Sequence, residues 1–94
     1  MFVDYREGDI DRLARLIGEE VRLRRKALGM SSRRFATLAQ THHGVVLRLE
    51  RGEQMPSLTT LAYWCPALGC SITDVLASAE QKLTRELVEG GAAA

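Results

Sequence analysis

Two short amphipathic segments in the middle of the chain, residues 32–39 and 42–50, are separated by only two polar residues, Gln40 and Thr41. Each segment is too short to form a stable helix alone, so packing against other elements must hold both in place. Two short helices joined by a tight turn form a recurring unit in which the second helix projects from the domain. The rest of the chain must therefore build a core beneath this pair.

The remaining sequence is also helical by its hydrophobic periodicity, and only Met1 to Tyr5 is compatible with a short strand or arm. The signals that begin or end the helices are, in chain order, Asp9 or Asp11, Gly29, Ser31, Gly52, Pro56-Ser57, Gly69, and Ser71 or Thr73. The fifth helix is expected to run to about Val88. The inward-facing residues predicted for the first and fourth helices are Ile10, Leu13, Ile17, Val21, Leu58, Leu61, Ala62 and Leu68. The sequence thus predicts an all-α domain of five helices.

Length and composition indicate one ordinary globular domain. The 94 residues are 46% apolar and 27% charged, and no apolar run approaches the roughly 20 residues of a membrane span. No charged, apolar and cleavable segment opens the chain, which favours a cytoplasmic location and no membrane partner. Cys65 and Cys70 lie in an apolar stretch without a second pair, which favours buried reduced thiols over a metal site or a disulfide.

The net charge is only +1, but its distribution is uneven. Residues 17–54 carry eight Arg or Lys against four Glu, a local balance of +4, whereas residues 1–16 carry −1 and residues 55–94 carry −2. A positive middle permits nucleic-acid binding, although a solvated helix face would give the same asymmetry.

The helix at 42–50 divides into two faces. Val46 and Leu49 are three residues apart and are expected to face the core. The other side carries His43, Gly44, Leu47 and Arg48. Imidazole and guanidinium groups on the outer face of a projecting helix suit base edges and phosphates. Periodicity alone does not distinguish this use from an ordinary solvated face.

Three longer motifs are more specific than periodicity: LERG at 49–52, PSLTTLA at 56–62 and ALGCSITDVL at 67–76. With their spacing, the chain resembles the Cro/repressor-type (XRE-like) helix-turn-helix family without a gap over about sixty residues. The resemblance implies a compact five-helix, lambda-repressor-like domain at 17–76. Residues 1–16 would form an N-terminal arm and the start of helix one, and residues 77–94 an extended C-terminal helix with a frayed tail.

The resemblance also implies DNA-contacting positions. Those that read bases would be His42, His43, Gly44, Val45 and Arg48, and those that contact phosphates would be Ser31, Ser32, Arg33, Arg51 and Gln54. Arg48 is the first choice for direct readout, because a guanidinium can bond a guanine edge with two hydrogen bonds. Val45 could meet a thymine methyl group. Gly44 either lets the DNA backbone approach closely or leaves that contact absent.

Other positions have structural expectations. The family places an ion pair between Arg25 and Glu50, joining helix one to the end of the recognition helix. Gln40 replaces the usual turn glycine and would have to adopt a left-handed backbone. Arg24 stands where an apolar residue is common, so helix one could be slightly rotated, and Pro66 deletes a hydrogen bond inside helix four.

The last helix continues an apolar stripe beyond the minimal domain. Its members are Val75, Ala79, Leu83 and Leu87. They are predicted to form a homodimer interface, since a two-fold axis would match a palindromic operator. The alternative is a monomer in which this stripe packs against the N-terminal arm.

The function predicted from the sequence is sequence-specific binding of double-stranded DNA by a homodimeric transcriptional repressor or autoregulator. The sequence shows no catalytic constellation and no cofactor-binding loop. His42 and His43 do not indicate a metal site either, because neighbouring side chains diverge on a helix. The alternative is an antitoxin or accessory module on the same fold, in which a partner protein is bound and DNA binding is secondary.

Overall fold

The computed structural model describes residues 3–93, and the side chains of residues 3–89. Met1 and Phe2 of the expected arm lie outside this range, and Val3 to Tyr5 have no regular secondary structure. The described residues contain five helices and no strand. The helices are α1 (Asp9–Ala27), α2 (Ser32–Leu38), α3 (His43–Glu50), α4 (Leu58–Leu68) and α5 (Ile72–Ala93). The predicted all-α, five-helix fold is confirmed.

Serine residues begin three of the helices, as their sequence context predicts. The hydroxyl oxygens of Ser31, Ser57 and Ser71 each accept a backbone N–H three residues later, at 3.0, 3.0 and 3.1 Å. At the start of α5 the bond is reciprocated, since the Ser71 N–H donates to the Asp74 carboxylate at 2.9 Å. This backbone donor lowers the pKa of Asp74. The same bonds fix where α2, α4 and α5 begin.

The first helix begins differently from the prediction. Its N-cap is Gly8, with a positive φ of 86°, rather than Asp9 or Asp11. The Asp9 carboxylate instead accepts the Arg6 backbone N–H at 2.8 Å and so closes the turn that precedes the helix. Ile10 was expected to face inward, but it is 52% exposed. It lies in the first turn of α1, beyond the edge of the core.

Two clusters of buried side chains form the core. The α3 cluster consists of Val21, Phe35, Ala36, Ala39, Val46, Leu49, Trp64 and Leu68. Phe35 and Trp64 meet edge to face, with ring centroids 5.4 Å apart. The α5 cluster consists of Leu16, Ile17, Leu61, Cys65, Val75, Ala79 and Leu83. Helices α1 and α4 contribute to both clusters and therefore join α3 to α5.

The buried face of α4 differs in part from the prediction. Leu61 and Leu68 are buried as expected, but Leu58 is 68% exposed and Ala62 is also exposed. Trp64 and Cys65 fill the core positions instead. Pro66 lies inside α4, which continues to Leu68 before Gly69 ends it.

The apolar stripe on α5 is part of the core of a single chain. Val75, Ala79 and Leu83 are each 0% exposed, and they pack against Leu16 and Ile17 of α1 in the α5 cluster. Leu87 is partly buried against the same cluster. The structure therefore contradicts the prediction that Val75, Ala79 and Leu83 form a dimer interface, because residues enclosed in the monomer cannot also meet a second copy.

Polar contacts fasten the outside of the same α1–α5 junction. Arg24 is half-buried and donates to Glu20 at 2.9 Å and to Ser78 at 3.4 Å. Lys82 of α5 donates to the other Glu20 oxygen at 3.2 Å. An arginine is thus accommodated at a usually apolar position because Glu20 and Ser78 accept its hydrogen bonds.

Within the range that the structure describes, no helix has an apolar stretch long enough to cross a lipid bilayer.

Candidate nucleic-acid interface

The turn between α2 and α3 is closed by backbone hydrogen bonds. The Thr41 N–H donates to the Ala36 carbonyl at 2.9 Å, and the Gln40 N–H donates to the Thr37 carbonyl at 3.3 Å. Gln40 adopts the expected left-handed conformation, with φ of 57°. A non-glycine residue pays roughly 1–2 kcal/mol for this backbone, so the paired hydrogen bonds and the packing of both helices must maintain it. The result is a rigid connection that fixes α3 relative to α2.

The inner face of α3 anchors the helix to the domain. Val46 and Leu49 are each 0% exposed and pack in the α3 cluster with Phe35 and Trp64. Burying side chains of this size stabilises a fold by about 1.5–3 kcal/mol each. This helix of eight residues is therefore held by packing on one side, which leaves its other side free for a ligand.

Gly18 allows α1 and α3 to cross closely. A Cβ atom at this position would collide with the Leu49 carbonyl oxygen and lie only 2.9 Å from the Glu50 carbonyl oxygen. Both neighbours are backbone atoms of α3, so a side chain could not be accommodated by a change of rotamer. No role was predicted for Gly18, although a glycine inside a long helix is a signal of close packing.

Arg25 and Glu50 form the expected ion pair between α1 and the end of α3. Arg25 Nε and Nη2 donate to the two carboxylate oxygens of Glu50 at 2.7 and 2.9 Å, and both residues are buried. Its Nη1 donates to the Met30 carbonyl at 2.7 Å, which ties down the loop before α2. Hydrogen bonding to Glu50 raises the pKa of Arg25, so the guanidinium stays charged at physiological pH. The negative charge of Glu50 is thereby compensated by Arg25 within the scaffold.

The outer face of α3 carries the residues predicted to read bases. His42, Gly44 and Arg48 are exposed, whereas His43 and Val45 are half-buried. Val45 packs partly against the α3 cluster, so only part of its side chain faces outward. His42 is the N-cap residue, and its side chain caps no backbone N–H of α3.

The Arg48 side chain lies close to Gly44 on this face. The Arg48 guanidinium nitrogen Nη1 lies 3.8 Å from the point where a Cβ of Gly44 would stand. The arginine therefore lies back along α3 towards its N-terminus, as long helical side chains do. Gly44 has no side chain to displace the guanidinium, which is exposed on the outer face.

The residues predicted to contact phosphates lie at the start of α2 and after the end of α3. Ser31, Arg33, Arg51 and Gln54 are exposed, and Ser32 is half-buried. The Ser31 oxygen already accepts the Arg34 N–H as the cap of α2. Arg34 is also exposed, next to Arg33 in the first turn of α2.

The cations of this surface are available to a ligand. No acidic side chain in the described part of the chain forms a salt bridge with Arg33, Arg48 or Arg51. In the part of the chain that the structure describes, no group of three or more His, Cys, Asp or Glu side chains could hold a metal ion. Exposed guanidinium groups without acidic partners are a feature of interfaces for a polyanion.

A family model described as a helix-turn-helix domain matches residues 16–78 of the chain. The chain belongs to the helix-turn-helix domain family. Helix-turn-helix domains place their second helix in the DNA major groove, and in this chain that helix is α3. The helix-turn-helix assignment made from the sequence motifs is confirmed.

Solved structures of a regulator share the fold. A crystal structure of the clp gene regulator ClgR from Corynebacterium glutamicum is 31% identical, with a TM-score of 0.78 over 86% of this chain and 86% of that one. A second ClgR structure from C. glutamicum is 34% identical, with a TM-score of 0.71 over 76% of this chain and 91% of that one. A search among curated proteins gave no significant match.

Proposed function

We propose that the chain is a transcriptional regulator of the Cro/repressor type, which binds a specific double-stranded DNA site by inserting α3 into the major groove. The observation that carries this proposal is the division of α3 into two faces. Val46 and Leu49 are fully enclosed, while Arg48 and Gly44 lie open on the opposite side. The similarity to the clp gene regulator ClgR supports a regulatory role.

Several residues on and near the open face of α3 have a proposed role in DNA recognition. Arg48 donates to the edge of a guanine, and His43 donates to a base or to a nearby phosphate. Gly44 has no side chain beside the Arg48 guanidinium, so this side of α3 leaves room for the DNA. Arg33, Arg51 and Gln54 contact phosphates and fix the register of the domain on the duplex. The backbone N–H groups at the uncapped start of α3 offer further donors to a phosphate.

Replacing Arg48 with alanine tests the role in base reading. Loss of a bidentate contact costs about 1–3 kcal/mol, so we expect Kd for the preferred site to rise roughly 5- to 150-fold. Preference at one base pair should disappear, while affinity for unrelated duplexes changes little. Selection of bound sites from random duplexes, followed by titration at a fixed salt concentration, measures both effects.

Arg51→Ala is the matched control, since Arg51 is an exposed arginine one residue beyond α3. It should weaken binding to all sequences equally and reduce the dependence of affinity on salt. An Arg48 variant that behaves in the same uniform way would show that Arg48 contacts a phosphate rather than a base.

The regulator is proposed to act as a homodimer on a roughly palindromic operator, as a repressor or autoregulator. One α3 reads only half of such a site, so two copies related by a two-fold axis would complete it. The proposed contact surface is the groove between the arm and the outer side of α5, of about 790 Å³. The groove is lined by Val3, Asp4, Glu80, Gln81, Thr84, Arg85, Leu87 and Val88.

Two features of this groove favour a second copy as its occupant. Val88 is 65% exposed, and apolar Val3 and Leu87 line the same groove. Asp4, Glu80 and Arg85 line the same groove, so in a two-fold dimer the carboxylates of one copy would face Arg85 of the other. Tyr5 holds the arm in place, because its hydroxyl donates to the Glu80 carboxylate at 2.9 Å.

Val88→Asp is expected to convert the dimer to monomers in sedimentation velocity, because it places a carboxylate at the centre of the apolar contact. The fold should be retained, since Val88 is exposed in the single chain. Leu23→Asp is the control: Leu23 is 45% exposed on α1, and its replacement should leave the dimer unchanged. A wild-type chain that sediments as a monomer, or an unchanged Val88→Asp dimer, would contradict this interface.

A further inference from the structure

Two thiols lie together where α4 ends and α5 begins. Cys65 is 2% exposed in the α5 cluster, whereas Cys70 is half-buried and contacts both core clusters. Both are free cysteines. Neither residue belongs to the proposed DNA-binding face or to the groove beside α5.

Backbone hydrogen bonds at the end of α4 bring these two residues close together. Gly69 has a φ of 69° and ends α4, so that the Cys70 N–H donates to the Cys65 carbonyl at 3.1 Å. A second bond, from the Gly69 N–H to the Pro66 carbonyl at 3.1 Å, completes a Schellman motif. The side chains at these two positions of the motif commonly touch. With standard bond lengths, the hydrogen bond keeps the two Cα atoms within about 7 Å, which is the limit for a disulfide.

The two sulfur atoms have different environments. Burial, and then the neighbouring Cys70, raise the pKa of Cys65 from 9.0 to about 11, so its thiol stays protonated at physiological pH. Cys70 is the more accessible of the two. Cys70 is therefore suited to react first, and Cys65 to react second.

We propose that Cys70 and Cys65 are a redox modification site, at which a hydroperoxide converts the two thiols into an intrachain disulfide. The Cys70 thiolate attacks the peroxide, so that an S–O bond forms as the O–O bond breaks. Sulfur is oxidised to a sulfenic acid, and the leaving oxygen takes up a proton. Cys65 then attacks the Cys70 sulfur, which forms the S–S bond and breaks the S–O bond. The departing hydroxide leaves as water with the proton of Cys65.

The disulfide would link the last turn of α4 to the residue before the N-cap of α5. The two residues are five apart in the sequence, and Cys70 packs against both core clusters, so the bridge would be a local link beside the core. Transient disulfides of this kind are the ones expected in reducing compartments, where they report oxidants rather than staple a fold. The proposal does not depend on DNA binding.

The test is treatment of the reduced full-length chain with hydrogen peroxide, followed by alkylation and mass spectrometry without reductant. We expect a monomeric product that has lost the mass of two hydrogen atoms and carries no alkyl group. Peptide mapping should place the bond between Cys65 and Cys70, and a reductant should restore both thiols. Unchanged free thiols, or disulfides only between chains, would overturn the proposal.

Two matched variants separate the steps. Cys65→Ala removes the second thiol, so Cys70 should accumulate as a sulfenic acid that a dione probe labels. Cys70→Ala leaves the buried Cys65, which should react roughly tenfold or more slowly than the wild-type chain. Helical circular dichroism verifies the fold of each variant before oxidation. Equal oxidation rates in the two variants would show that the order of reaction is wrong.

Discussion

Replacing Glu50 with alanine is expected to lower the free energy of unfolding by about 3–5 kcal/mol. The substitution leaves the buried Arg25 guanidinium with two of its donors unpaired in the core. The loss is large for a domain whose total stability is of the order of 5–15 kcal/mol. Urea denaturation followed by circular dichroism measures it directly.

Glu53→Ala provides the control for this experiment. Glu53 is an exposed glutamate in the loop that follows α3, so its loss should change stability by no more than about 0.5 kcal/mol. A Glu50→Ala variant as stable as Glu53→Ala would show that the pair contributes nothing to the fold.

A double variant, Arg25→Met with Glu50→Leu, separates the ion pair from its surroundings. Apolar replacement of both partners is often neutral, so most of the stability should return. Recovery should be incomplete, because Arg25 also donates to the Met30 carbonyl, and an unpaired buried carbonyl costs about 1–3 kcal/mol. The remaining deficit therefore measures how much Arg25 stabilises the loop before α2.

Local signals in the sequence predicted local structure well. Ser31, Ser57 and Ser71 cap helices because a hydroxyl and a backbone N–H three residues later interact without help from the rest of the chain. The same reasoning failed at Gly8, where Asp9 bonds to the residue Arg6 and a glycine takes the cap position. Gly8 and Asp9 are adjacent, and either residue type can cap a helix. The hydrogen bond from Arg6 to Asp9 in the preceding turn leaves Gly8 at the cap position.

Tertiary contacts were the part that periodicity could not assign. The stripe Val75, Ala79 and Leu83 was recognised as apolar, but its pattern requires only that something cover it. In the structure α1 covers it, since α1 and α5 are both long and lie against each other. Apolar spacing on one helix therefore predicted burial but not whether the covering element belongs to the same chain.

The outer face of α3 was predicted residue by residue, yet its shape was not. His42, His43, Gly44, Val45 and Arg48 were chosen from the family resemblance and are all at least partly accessible. The sequence could not show that Arg48 lies over Gly44, because that depends on a side-chain rotamer. Whether these residues touch DNA remains the prediction that Arg48→Ala tests.

Gly18→Ala is expected to destabilise the domain by at least about 2 kcal/mol, despite the gain of up to about 1 kcal/mol that alanine brings to a helix. The added methyl group would meet the Leu49 and Glu50 carbonyl oxygens, so α1 and α3 would have to separate. Separation would also strain the Arg25–Glu50 pair, which bridges the same two helices. Thermal and urea unfolding measure the loss of stability.

Gly44→Ala is the matched control, because it makes the same chemical change in another helix. A Cβ at Gly44 would meet only Arg48 Nη1, at an ordinary contact distance of 3.8 Å. Stability should therefore be unchanged or rise by up to about 1 kcal/mol. Two glycine variants of equal stability would contradict the close crossing of α1 and α3. If Gly18→Ala alone is unstable, the packing of α3, and with it the proposed DNA-binding face, depends on a residue outside that face.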